Sequence, residues 1–166
     1  MSVRATAAMN LSVAETIDTS VPALGAQNTI VHDGFNSTHT IYSSTTPPAT
    51  KVAAFTKALV AGAATIDLTA LTGTSGASVT FSGLKVQMVK IINPSTNVNP
   101  LVVVPGASNG YNLLGAAFKI TLKPGEEHQF YLPEGPPDVA GGAKTLDLTD
   151  GGVGGTESSQ WILVAG

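Results

Sequence analysis

Short apolar runs rich in β-branched residues, separated by Gly, Pro, Asn and Asp, fill most of the chain and constrain its fold. The clearest runs are Thr65–Leu71, Val79–Phe81, Lys85–Ile92, Leu101–Val104, Phe118–Leu122, His128–Leu132, Thr145–Leu148 and Trp161–Val164. Runs of this length and composition favour strands, and their spacing is typical of two packed sheets. The pattern predicts an all-β protein, an antiparallel β-sandwich of the jelly-roll or immunoglobulin-like kind.

The segment Lys123–Glu126 predicts a turn of a specific type. In Lys123-Pro124-Gly125-Glu126, proline stands where φ is already fixed and glycine stands where φ must be positive. These two positions define a type II turn. We expect this turn to join the Phe118–Leu122 and His128–Leu132 strands as a hairpin.

The first residues alternate strictly between apolar and polar side chains. The apolar positions are Val3, Ala5, Ala7, Met9, Leu11 and Val13. A period of two predicts a half-buried strand of about 11 residues, long for a globular protein. Such a strand is either an edge strand of the protein's own sandwich or an arm that pairs with the sheet edge of a neighbouring subunit. The six apolar residues are therefore the candidate inter-subunit arm.

The chain of 166 residues fits a single domain with two parts. Residues 1–50 are expected to form the N-terminal strand or arm and a polar connecting segment packed on the core, with short strands at Thr29–His32 and Thr38–Ser43. Residues 51–166 are expected to form the sandwich core. The Lys51–Ala61 segment is compatible with a short helix or a strand.

Composition favours a subunit that associates with other chains. Only 11% of residues are charged, whereas 43% are hydrophobic. An average globular protein has about 25% charged residues. A monomer of this mass would expose ~7,700 Å², or ~400 Å² per charged side chain, and that spacing is the size of a large apolar patch. We therefore expect burial of the surface against copies of the chain or against a partner.

The same composition excludes several classes of partner. The net charge is −3 and the basic residues are scattered, so no nucleic acid is expected as a partner. No apolar run is long enough to span a membrane, and the first residues do not resemble a secretory signal. The chain has no cysteine, which removes disulfide and thiolate chemistry.

Candidate catalytic and metal-binding patterns are weak. Gly106-Ala107-Ser108-Asn109-Gly110 matches the nucleophile-elbow pattern, but that pattern requires a helix after the serine and a downstream acid and histidine. We interpret it as a turn. His32, His39 and His128 have no metal-ligand spacing, and Asp147 and Asp150 lack the rest of a calcium loop. The sequence thus predicts no enzyme activity, no cofactor and no metal.

Two further patterns bear on function. Ala64–Thr69 is echoed by Lys144–Thr149, which we interpret as shared local chemistry rather than a repeat fold. Trp161 is expected in the core. An alternative is that Trp161 lines a sugar-binding face with Tyr42, Tyr111 and Tyr131.

The chain resembles small β-sandwich structural proteins of tailed-bacteriophage virions. The resemblance rests on the Thr65–Thr69 strand, the Leu122–Glu126 turn and the closing Trp161–Gly166 strand, together with low charge and an Ala, Thr, Gly and Ser bias. It implies a non-enzymatic head decoration or cement protein that assembles as a homo-oligomer, a trimer or a ring. Its partner would be a major capsid or tail protein, and its location a virion assembled in the host cytoplasm. The alternatives are a tail-tube, tail or fibre subunit and a carbohydrate-binding or adhesin module.

Overall fold

A computed structural model describes residues 2–17, 28–34, 36–134, 136–151 and 157–166, and within these ranges all regular structure is β-strand. The strands are β1 (Arg4–Met9), β2 (Val13–Ile17), β3 (Asn28–His32), β4 (Ser37–Tyr42), β5 (Lys51–Ala58), β6 (Ala63–Asp67), β7 (Leu71–Thr72), β8 (Ser78–Val79), β9 (Val86–Ile92), β10 (Leu101–Pro105), β11 (Ile120–Leu122), β12 (Glu127–Tyr131), β13 (Thr145–Asp150) and β14 (Ser158–Ala165). The segment Lys51–Ala61, for which the sequence allowed a helix or a strand, therefore contains strand β5.

Two four-stranded antiparallel sheets carry the core. Their strand orders are β11-β10-β13-β6 and β12-β9-β14-β5. Alternate side chains of both sheets enter one apolar cluster, which includes Val103 and Leu146 from the first sheet and Ile91, Trp161 and Leu163 from the second. Because strands present alternate residues to opposite faces, one face of each sheet is buried in this cluster. The predicted all-β antiparallel sandwich is confirmed.

The predicted turn is present, but the predicted hairpin is wrong. Glu126 N–H donates to Lys123 O at 3.0 Å, and Gly125 has φ +84°, as a type II turn requires. Strand β11 pairs with β10, however, whereas β12 pairs with β9 in the other sheet. The turn is hydrogen-bonded to the backbone of Asn93, so it carries the chain from one sheet to the other.

The predicted single N-terminal strand is also wrong. Strand β1 ends at Met9 and β2 begins at Val13, so residues 10–12 interrupt it. Strand β1 pairs with β4, and β2 pairs with β3. The side-chain amide oxygen of Asn36 accepts the N–H of Leu11 at 2.7 Å, which replaces a strand hydrogen bond at the interruption. The alternating pattern therefore covers two strands with different partners.

The chain divides into two compact units. The sandwich unit comprises Met1–Ala5 and Ile41–Gly166, and the N-terminal unit comprises Thr6–Thr40. The sandwich unit contains both four-stranded sheets and the apolar core. The N-terminal unit contains the two-stranded ribbon of β2 and β3.

Candidate assembly surface

The six candidate arm residues do not share one environment. Ala7 is buried, and Val3 and Ala5 are half-buried. Met9, Leu11 and Val13 are exposed, with Leu11 retaining 75% of its accessible surface. The structure thus separates the six residues predicted to lie on one face, and only the last three form an exposed apolar set.

Those three residues line a groove in the N-terminal unit. Its volume is about 380 Å³, and its lining consists of Met9, Asn10, Leu11, Val13, His32 and Asn36. Three of the six are apolar and exposed, and none is an acid or a lysine. Exposed apolar side chains gathered in a concave site are typical of a docking surface. We call this feature the N-terminal groove.

The β2–β3 ribbon exposes the residues that lie next to the groove. Val13 lies opposite His32, and Ala14 lies opposite Val31, so the ribbon presents side chains on both faces. All four of these side chains are exposed, as is Glu15. An isolated two-stranded ribbon is marginally stable in water. Contact with another surface would therefore stabilise it.

Charge is distributed unequally between the two units. The N-terminal unit contains Glu15, Asp18 and Asp33 and neither lysine nor arginine. Its formal charge of −3 equals that of the whole chain, so the sandwich unit is formally neutral. The Nε2 atom of His32 lies 3.4 Å from the Glu15 carboxylate. The Glu15 carboxylate therefore lies beside His32, which lines the N-terminal groove.

A second exposed apolar feature lies at one end of the sandwich. Val60 and Val98 retain 76% and 84% of their accessible surface. Glu157 links the two loops that carry them: its carbonyl accepts the Leu59 N–H at 2.7 Å, and its carboxylate accepts the Val98 N–H at 2.9 Å. We call Val60 and Val98 the valine pair. Sequence reasoning missed it, because two valines far apart in the chain form no pattern.

Buried polar side chains fix the loop that carries Val98. The Asn93 amide nitrogen donates to Leu122 O at 2.9 Å and to Asn99 O at 3.1 Å, and Asn93 is fully buried. The Asn97 amide nitrogen donates to the Asn93 side-chain oxygen and to Ser158 O, both at 2.6 Å. Satisfied buried networks of this kind hold one conformation. The loop is therefore fastened to both sheets.

The serine pattern Gly106–Gly110 forms a turn against the start of β13. The Thr145 hydroxyl donates to Ser108 O, and the backbone N–H groups of Gly106 and Tyr111 donate to Thr145 O at 2.9 and 2.8 Å. No helix follows Ser108 in the described chain. These contacts agree with the interpretation of the pattern as a turn.

Histidines and aspartates were considered from the sequence as metal ligands and not favoured. Among the described residues, no three or more His, Asp or Glu side chains come together as a metal site. The Asp147 carboxylate instead accepts the Thr65 hydroxyl at 2.7 Å and the Ala107 N–H at 2.8 Å. Its oxygens thus fasten β13 to neighbouring segments.

The two echoed segments lie side by side. Strands β6 and β13 pair antiparallel, with Thr145 opposite Asp67. Asp67 accepts the Lys144 ammonium at 2.8 Å and the Thr69 hydroxyl at 2.6 Å. Burial raises the pKa of Asp67, but these hydrogen bonds outweigh it and hold the pKa below its ordinary value. Asp147, the equivalent residue of the second segment, accepts hydrogen bonds from Thr65 and Ala107 instead. The similar sequences of the two segments therefore do not give the same hydrogen bonds.

The aromatic face proposed for sugar binding is wrong as a set of four. Trp161 is buried, as expected, and its indole N–H donates to Ser159 Oγ at 2.9 Å. Tyr111 is fully buried; its hydroxyl accepts the Val86 N–H at 3.2 Å and donates to Pro137 O at 2.9 Å. Burial raises the pKa of Tyr111 to about 12. Both rings pack in the apolar core. The spacing of aromatic residues in the sequence does not show which of them are buried.

No helix in the described ranges is long and apolar enough to cross a membrane.

No protein-family model and no curated protein matches the chain. Among solved structures, it is similar to a chain from a structure titled "Bacillus endospore appendages form a novel family of disulfide-linked pili". The identity is 14%, the match covers 69% of this chain and 82% of the other, and the TM-score is 0.41. A TM-score this low does not establish a common fold, so we infer neither fold nor function from it.

Proposed function

We propose that the chain is a non-enzymatic structural subunit that assembles in many copies, and that it decorates or cements the head of a tailed-phage virion. The observation that carries the assembly proposal is the exposed apolar set Met9, Leu11 and Val13, which lines the N-terminal groove. A free monomer would leave this apolar surface in water at an energetic cost. A subunit covered by neighbours would not.

Burial of apolar surface is the driving force we propose for assembly. Covering ~1,000 Å² of apolar surface contributes ~25 kcal/mol before the costs of association. Ordering and loss of free motion consume much of that amount. Repeated contacts on a symmetric lattice then give tight attachment from individually modest interfaces. A shell or tube built from many copies provides such a lattice.

The virion assignment rests on the sequence resemblance. The segments Thr65–Thr69 and Trp161–Gly166, which overlap β6 and β14, both belong to the sandwich unit. Low charge suits a chain covered by neighbours. The proposed partner is the major capsid protein of the head, and the proposed location is a virion assembled in the host cytoplasm. A tail-tube, tail or fibre subunit belongs to the same structural class and has a tail protein as its partner.

Two measurements test this proposal. The first is the absolute mass of the purified chain over a concentration series, with Leu11→Ser as the variant that removes the most exposed apolar residue of the groove. We expect wild type to form oligomers and the variant to require at least about tenfold higher concentration. The second is co-sedimentation with purified empty heads and with tail tubes of one phage. Saturable binding to heads supports a decoration protein, binding to tubes alone replaces it with the tail assignment, and binding to neither contradicts the virion proposal.

A further inference from the structure

We infer that strand β5 of the sandwich is an interaction edge that pairs antiparallel with β5 of a second copy of this chain. The sheet β12-β9-β14-β5 then continues across a twofold axis into the same sheet of the second copy. The inference rests on the proposed function. An edge of 8 residues is small for a stable dimer, so it joins copies that other contacts already hold together.

Strand β5 is an edge strand that pairs only with β14. At the end of β5, the Leu59 N–H donates to Glu157 O at 2.7 Å, in the register that places Phe55 opposite Trp161. Because backbone groups alternate in direction along a strand, Phe55 and the other odd-numbered residues of β5 bond to β14. The N–H and C=O groups of the even-numbered residues therefore point away from the sheet. These residues are Val52, Ala54, Thr56 and Ala58.

The outward backbone groups of β5 have no hydrogen-bond partner in the described part of the chain. Strand β7 passes near β5, but it makes its strand hydrogen bonds with β8. A groove of about 260 Å³ lies next to the edge, and its lining includes Phe55 and Thr56 from β5 and Leu71 from β7. A row of free N–H and C=O groups beside a groove suits an added strand, because the backbone supplies affinity and the groove receives side chains.

A second β5 strand matches this edge. In one antiparallel register, Val52 lies opposite Ala58 of the second copy, and Ala54 lies opposite Thr56 of the second copy. Each of these pairs exchanges two hydrogen bonds, so every outward group of both strands gains a partner. The twofold axis then passes beside Phe55, which faces Phe55 of the second copy. Their pair is not hydrogen-bonded, and in such pairs the side chains approach most closely, which favours aromatic contact.

The two lysines of β5 select the same register. Lysine on an edge strand discourages indiscriminate pairing, and here Lys57 lies opposite Ala53 of the second copy. A shift of the register by two residues in one direction would place Lys51 directly opposite Lys57, and like charges in that position are destabilising. A shift in the other direction would place Lys57 opposite Phe55 and remove the aromatic pair. The charges of the strand thus favour the register that satisfies its backbone.

Disulfide cross-linking tests the register, because the chain has no cysteine of its own. Ala54→Cys and Thr56→Cys variants are mixed in equal amounts at a concentration where wild type assembles, and the mixture is mildly oxidised. Opposite residues of a hydrogen-bonded pair have Cα atoms about 5.5 Å apart, within the reach of a disulfide. The control mixture is Ala54→Cys with Ala58→Cys, whose cysteines lie diagonally. We expect at least about fivefold more cross-linked two-chain product from the first mixture.

A proline substitution tests the edge itself. Thr56→Pro removes an outward N–H that the sandwich does not use, and edge strands tolerate proline at such positions. The matched control is Gln129→Pro on β12, the opposite edge of the same sheet. The Leu132 N–H donates to Gln87 O at 2.9 Å, so the even-numbered residues of β12 bond to β9 and the Gln129 N–H points outward. We expect Thr56→Pro to need about tenfold higher concentration for assembly, the effect of two lost hydrogen bonds, and the control to assemble like wild type. Circular dichroism and chemical denaturation check that both variants are folded.

The outcomes separate this inference from the proposed function. If wild type is a monomer at every concentration, the assembly function fails and the edge contact fails with it. If wild type assembles but the two cysteine mixtures cross-link equally, the pairing of β5 with itself in this register is wrong while assembly stands. Assembly of Thr56→Pro at wild-type concentrations would likewise exclude β5 as an interface. Preferential cross-linking together with weaker assembly of Thr56→Pro alone would support the edge contact.

Discussion

Replacing Glu157 by alanine tests how the Val98 loop is held. The substitution removes the acceptor of two backbone N–H groups, those of Val98 and Asn99, and leaves both in a partly buried setting. A hydrogen bond to a charged group contributes about 1.5–3 kcal/mol. Allowing for partial hydration of the freed N–H groups, we expect the free energy of unfolding to fall by about 3 kcal/mol. Glu157→Gln keeps one side-chain oxygen as an acceptor and should lose only about 1 kcal/mol.

Chemical denaturation measures both variants, and hydrogen exchange at Val98 and Asn99 locates the effect. Glu157→Ala should accelerate exchange of these two amides more than that of amides in β14. Equal unfolding free energies for wild type and Glu157→Ala, or unchanged exchange at both amides, would refute the role assigned to the carboxylate.

Three further substitutions test contacts in the sandwich unit. Tyr111→Phe should lower the unfolding free energy at neutral pH by about 1–3 kcal/mol in denaturant titrations, because a buried N–H loses its acceptor. A tyrosine in the unfolded chain ionises near pH 10, whereas the pKa of Tyr111 in the fold is raised to about 12. The unfolding free energy of wild type should therefore fall between these pH values, and the variant should lack that fall. Lys144→Met removes a hydrogen bond that lowers the pKa of Asp67. The unfolding free energy of wild type should therefore fall as pH drops below about 3.8, and that of the variant should fall less. Denaturant titrations at a series of acidic pH values measure both. Ala61→Asn should raise the melting temperature, with a gain of about 0.5–1 kcal/mol, because Ala61 has φ +52° before Gly62 in a turn that favours Asn-Gly; a lower melting temperature would contradict this turn assignment.

The architecture of the sandwich could be predicted because local chemistry determines it. Each run of β-branched residues in the second half of the chain overlaps a strand, and the turn at Lys123–Glu126 has the predicted backbone. The partners of those strands could not be predicted in the same way. Strands β11 and β12 flank an ideal turn yet enter different sheets, because Asn93, 30 residues upstream, binds that turn. A single sequence does not show such long-range contacts.

The candidate assembly surface was predicted only in part. The alternation from Val3 to Val13 indicated apolar residues for a partner, and Met9, Leu11 and Val13 are exposed as such a site requires. The interruption at residues 10–12 depends on the side chain of Asn36, which periodicity cannot reveal. The valine pair depends on Glu157, a buried acid with no motif around it. Its role follows from its two hydrogen bonds and not from its neighbours in the sequence.

The most direct test of the central claim is the absolute mass of the purified chain by light scattering after size exclusion, across a concentration series. The measured mass of wild type should exceed the monomer mass of 16.8 kDa, and it should either increase with concentration or reach the constant mass of a closed ring. The mass of Leu11→Ser should stay near that of the monomer under the same conditions. A wild-type mass of 16.8 kDa at every concentration, or equal assembly by the Leu11→Ser variant, would contradict assembly through the N-terminal groove.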